Sequence, residues 1–170
     1  MNNVYYHYSE EPGIDQFIPR KNSTFPDLQP VVWAIDKEHA PLYYFPRDCP
    51  RIAIWRGNET SELDMNRFQV NIRMVITIEK RWLQALEKTI IHEYSFAGKT
   101  FQCFDENAGY YISQESVEPI EVTMIDNLPE KLLESNVELR LVNSLKSLRD
   151  DVLESSLAYS MIRMRNAILA

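Results

Sequence analysis

The sequence predicts an α+β fold. It reads as a single domain, 1–170, of mostly antiparallel sheets forming a cleft, with several short helices and a longer C-terminal helix. Three observations predict it. Short β-branched and aromatic runs recur along the chain and outnumber the segments of helical periodicity. The helices fall between them without a regular βαβ rhythm, which argues against a doubly wound parallel sheet. Nine prolines and only four glycines imply many fixed turns and no long glycine-rich phosphate loop.

Val4-Tyr5-Tyr6-His7-Tyr8 reads as the first strand, ended by the turn Glu11-Pro12-Gly13. Residues 18–30 carry three prolines among polar residues and read as a loop. Val31–Ile35 is a continuous apolar run of strand length, buried on both faces. Asp36 can cap a short helix through Leu42 to Phe45, with Pro41 in its first turn and Pro46 closing it. Ile52–Trp55 and Ile72–Ile78 read as strands, and 79–88 as a helix with Trp82, Leu83 and Leu86 on one side.

Ile90–Phe96 alternates and reads as a strand. After the turn Asp105-Glu106-Asn107 come Tyr110–Ile112 and Ile120–Ile125, expected to pair with each other. Asp126 or Asn127 caps a helix bearing Leu128, Leu132 and Leu133, and Val137–Val142 alternates again. From Ser144, Leu145, Leu148, Val152, Leu153 and Leu157 form a stripe that runs on through Met161 and Met164, predicting the longest helix.

Hydrophobic residues at 45% and charged ones at 25% are ordinary for a soluble globular protein. A net charge of −7 disfavours nonspecific binding to nucleic acid or anionic lipid. The opening residues lack a signal peptide's features and no run is long enough to span a membrane, so a cytoplasmic location is expected, with Cys49 and Cys103 reduced.

The segment HAPLYYFPRDCPR, 39–51, concentrates the candidate chemistry. Arg47 and Arg51 offer planar paired donors for phosphate or carboxylate, prolines hold them in place, and Tyr43 and Tyr44 supply rings beside the charge. The structural alternative is a loop pinned over the core with an Arg47–Asp48 ion pair. His7 is either a hydrogen-bonding group for a ligand hydroxyl or a core histidine with a backbone partner. Cys49 is either activated by its flanking arginines or a buried inert thiol. Asp36, Glu38 and His39 cluster oxygen and nitrogen ligands but match no helical zinc spacing, and no metal is expected. Ser9, Ser113 and Ser160 lack a hydrolase's glycine elbow. Arg163 and Arg165 stand on different faces of the expected last helix, while Met161 and Met164 pack into the core.

The segments YHYSE, VVWAIDKEHAPLYYFPRDCPR, AGYYISQESVEP, ELRLV and SSLAYSMIRMRNA together resemble a small bacterial family known only as a domain of unknown function. The order of features is also similar to the ADP-ribosyltransferase-like fold, which binds NAD in a cleft between two small sheets. His7 in YHYS matches that fold's first-strand histidine, Trp33-Ala34 its second strand, and Tyr43 or Tyr44 the tyrosine of the following helix. The resemblance implies that His7 binds the adenosine-side ribose and that a tyrosine stacks near nicotinamide. It implies a reaction-centre residue at Tyr110 in GYYIS, where the fold commonly has a glutamate. Tyr110 cannot supply that negative charge, and Glu115, Glu118 or Glu121 can do so only in a shifted register.

Three functional classes follow: a cleft for NAD or a related anionic nucleotide, active with Tyr110 and Glu115 or degenerate; a noncatalytic interaction module; and a metal-dependent hydrolase using Asp36, Glu38 and His39.

Overall fold

The computed structural model describes residues 3–169. In chain order its elements are β1 (Val4–Ser9), β2 (Val32–Ile35), β3 (Arg51–Trp55), α1 (Glu62–Arg67), β4 (Met74–Glu79), α2 (Leu83–Lys88), β5 (Ile91–Ala97), β6 (Gln102–Asp105), β7 (Tyr110–Ser113), β8 (Glu121–Ile125), α3 (Leu128–Glu134), β9 (Val137–Val142), α4 (Lys146–Leu153) and β10 (Ala158–Ile162). Short 3-10 turns lie at Ala40–Tyr43, Lys80–Trp82, Gly98–Thr100 and Met164–Asn166. The architecture is α+β with two mostly antiparallel sheets, as the sequence predicts. No described helix is long and apolar enough to cross a membrane.

The chain divides into two compact units, one formed by residues up to Ala40 with Ile90–Ile125, the other by Pro41–Thr89 with the residues from Asp126 onward. The first unit holds a six-stranded antiparallel sheet in the order β6-β7-β2-β1-β5-β8. Alternation puts Tyr5, Val32, Ala34, Tyr94 and Phe96 on one face, where they form a core with Phe101 and Val117. Phe17 packs onto this cluster, its backbone held by hydrogen bonds in both directions with Val117 (2.8 and 2.9 Å). The long loop between β1 and β2 therefore has an anchor despite its prolines.

The second unit holds a four-stranded sheet in the order β10-β3-β4-β9, in which β4 and β9 run parallel. Its central strands read RIAIW and MVITIE and are buried almost throughout, which is why they appear as continuous rather than alternating runs. Ile52, Ile54, Val75, Leu145 and Val152 make its core, each worth about 1.5–3 kcal/mol of burial. Two helices of this unit, α1 and α3, begin on side-chain caps. Ser61 Oγ accepts the Asp64 N–H, and Asn127 accepts the Glu130 N–H while donating to the Glu130 carboxylate.

Three expectations change. Helix α4 is the longest of the described helices but stops at Leu153 rather than continuing through Met161 and Met164. At the break, Ser155 Oγ donates back to the Val152 carbonyl, and Ser156 is held by the Asp64 carboxylate through both its N–H and its hydroxyl. The following residues then pair with the open edge of β3 as β10. Met161 and Met164 still pack against the core, so a strand and a 3-10 turn imitate helical spacing. Arg163 and Arg165 accordingly lie outside any α-helix, Arg163 with φ +56°. Strands β7 and β8 do not pair with each other: β7 lies between β2 and β6, and β8 on β5. Strand β6 and helix α1 fall in segments for which the sequence predicts no element.

Candidate functional site

The strands that carry His7, Trp33 and Tyr110 are three neighbours in one sheet, although their segments are far apart in sequence. Register determines which side chains share a face. Tyr6 sits opposite Ile35, and Ile35 opposite Tyr110, so these three form a row on one side. His7 points the other way, with Tyr5, Ala34 and Tyr111. Of the two tyrosines of GYYIS, the one that shares a face with His7 is therefore Tyr111, one position beyond Tyr110.

His7 is half-buried, with Nδ1 3.1 Å from the Trp33 carbonyl and its ring edge-on to Phe17 at 4.9 Å. A carbonyl oxygen only accepts, so Nδ1 carries the proton. In the neutral ring Nε2 is then the acceptor, suited to a hydroxyl donor rather than to an anion. Tyr5 stacks on Tyr111 with centroids 3.9 Å apart. Burial pushes the Tyr111 phenol up to about 12, and the neighbouring Tyr5, Cys103 and Asp36 act in the same direction.

Tyr110 is half-buried and meets Trp33 edge-on at 6.0 Å. Glu115 is exposed, two residues past the end of β7, and its backbone is tied to the Ser113 hydroxyl. Tyr110 opens β7, whereas Glu115 lies in the bend that follows the strand.

In the second unit the proline-braced segment divides its residues between two tasks. Arg51 is 2% exposed: Nε donates to the Leu42 carbonyl at 2.7 Å and Nη1 to the Cys49 carbonyl at 2.8 Å. Its guanidinium also lies over the Tyr43 and Phe45 rings, at 5.6 and 5.1 Å. Arg51 therefore ties the segment to its own strand. Arg47 and Asp48 are exposed. Tyr44 is 1% exposed within the core, so of the two tyrosines only Tyr43, half-buried, keeps part of its surface outward. Cys49 is wholly buried, and burial pushes its thiol up to about 12, leaving it protonated and unreactive.

The C-terminal residues fasten the same segment. Arg163 Nε donates to the Arg47 carbonyl and Asn166 Nδ2 to the Asp48 carbonyl. The buried Glu79 carboxylate takes the Ile168 N–H at 2.6 Å and Arg81 Nε at 2.7 Å.

Asp36 and His39 form a tight pair, with His39 Nδ1 2.8 Å and the His39 backbone N–H 2.8 Å from Asp36 Oδ1. The pair closes over Gly109, whose φ is +71° and whose N–H and carbonyl hold the turn. Among the described residues no group of three or more His, Cys, Asp and Glu side chains is placed to hold a metal ion. Glu38 is exposed beside the pair.

A family model described as a family of unknown function (DUF6886) matches residues 6–167. The chain belongs to this family. The match takes in His7, the 39–51 segment and the SMIRMRNA segment near the C-terminus. No curated protein and no solved structure matches the chain.

Within this family member, sequence reasoning missed Tyr5, Phe17 and Tyr111 as neighbours of His7. A signal was present for the first of them: Tyr5 and His7 are two apart on one strand, so they share a face. Tyr111 required the register of β7 on β2, which periodicity does not supply. Phe17 lies in irregular chain, where no pattern predicts which ring turns inward.

Proposed function

We propose that the first unit binds a nucleotide of the NAD or ADP-ribose kind in the manner of the ADP-ribosyltransferase-like fold, with His7 taking a ribose hydroxyl. One observation carries this reading: the three segments on which that resemblance rests lie side by side as β1, β2 and β7, and His7 is bonded to the middle one through the Trp33 carbonyl. The fixed tautomer suits the role, because Nε2 accepts from a hydroxyl without needing a charge. Phe17 and the Tyr5–Tyr111 pair give that face flat apolar rings.

The donor set does not support group transfer equally well. A developing oxocarbenium needs a carboxylate beside it, and the GYYIS tyrosine on His7's face is Tyr111, whose phenol is held neutral. Tyr110 has no carboxylate to offer either, and Glu115 lies in the bend beyond the end of β7. Binding, rather than transfer, is the activity proposed.

The experiment is thermal denaturation with millimolar NAD, ADP-ribose and adenosine, on the native chain, His7→Asn and His7→Ala. Asparagine can keep a donor for the Trp33 carbonyl while losing the Nε2 acceptor. The reading predicts a ligand-induced rise in melting temperature that both variants lose, with His7→Asn the more stable unliganded. No rise with any of the three ligands, or an undiminished rise in His7→Asn, rejects it.

A further inference from the structure

Among the described residues, strand β8 closes one edge of the six-stranded sheet and pairs only with β5. Natural sheets protect such edges with bulges, lysines or prolines, because an open edge is a template for another strand. The opposite edge follows that rule: β6 has a register shift between Cys103 and Asp105. β8 does not. Its pairing runs through five consecutive residues from Glu121 to Ile125 without a shift, and the segment IEVTMI contains neither lysine nor proline.

Its side chains are unusual for a solvent-facing strand. Val122 and Met124 are 47% and 60% exposed and alternation puts them on one face, while Ile120, just before the strand, is 61% exposed. The other face presents Glu121 and Thr123, both exposed. Beside the strand lies a hollow of about 560 Å³ whose walls include Asp15, Glu118 and Glu121. An open hydrogen-bonding edge, an apolar pair and an acidic border thus coincide.

We propose that the outer edge of β8 docks an extended segment of another protein in which apolar and basic residues alternate. A strand added there satisfies the unpaired backbone groups of β8. Its side chains alternate between faces, so every second one meets the Val122–Met124 pair and must be apolar. The intervening ones lie beside Glu121 and are matched by lysine or arginine. A second copy of this chain fits poorly. Its own β8 offers no cation to Glu121, and each copy carries a net charge of −7.

Fluorescence anisotropy with the full chain tests this, using a seven-residue peptide of alternating lysine and valine and a counterpart with glutamate for lysine. The lysine peptide is expected to bind at least tenfold more tightly than the glutamate peptide, and to weaken as salt is raised. Val122→Lys combined with Met124→Lys is expected to reduce its affinity at least tenfold. Glu118→Lys combined with Glu121→Lys is expected to reverse the preference, which keeps the test valid if the first pair perturbs folding. Absent saturable binding, equal affinity for the two peptides, or full affinity in both double variants overturns the proposal. So does light scattering that shows a dimer of the native chain dissociated by Met124→Lys, since the edge then belongs to a second copy.

Discussion

Replacing Arg51 with methionine separates a structural role for this residue from a ligand-binding one. Methionine keeps much of the aliphatic stem but has no donor for the carbonyls of Leu42 and Cys49, both within hydrogen-bond distance of the guanidinium. Arg51 is 2% exposed, so water cannot readily replace those bonds. Leaving a buried acceptor without its donor costs about 1–3 kcal/mol, so two such losses cost about 2–6 kcal/mol. Lost contact with the Tyr43 and Phe45 rings adds to this in the same direction. Urea unfolding followed by tryptophan fluorescence reads the difference, with Arg47→Ala as the exposed control, expected within about 0.5 kcal/mol of the native chain. A cost below about 1 kcal/mol for Arg51→Met refutes the bracing role.

Gly109→Ala is expected to destabilise the chain by at least about 1–3 kcal/mol, read by thermal denaturation, because an added Cβ meets the His39 ring and the backbone φ is +71°. In the folded chain one thiol, the exposed Cys103, is expected to react with iodoacetamide, and the buried Cys49 only in urea; mass spectrometry of the labelled peptides checks this. The Tyr111 phenol is held above its ordinary value, so its contribution to stability is complete below about pH 10 and is lost as pH rises through about 12. Unfolding curves between those values are expected to show the native chain losing stability that Tyr111→Phe retains.

The legible part of the fold is the part set by local chemistry. Alternation and β-branched runs mark β1, β2, β5 and β9, and the Asn127 cap marks the start of α3. The end of α4 was not legible, because the side chain that holds Ser156 belongs to Asp64, far away in sequence. Without that contact, leucines and methionines at helical spacing read as one continuous helix. The same limit applies to the candidate site. The proline-rich segment reads correctly as rigid. Yet nothing local reveals that Arg51 turns inward to its own backbone while Arg47 stays out. Likewise, the face that His7 shares with Tyr111 rather than Tyr110 depends on strand register, which is a property of two segments together.

Nitrogen-15 NMR of the His7 ring during titration with ADP-ribose addresses the nucleotide reading most directly. The account predicts a neutral ring protonated at Nδ1 in the absence of ligand, and a saturable shift of the Nε2 resonance as it accepts a hydroxyl. A ring protonated at Nε2, or an Nε2 resonance unmoved by millimolar ligand, contradicts it.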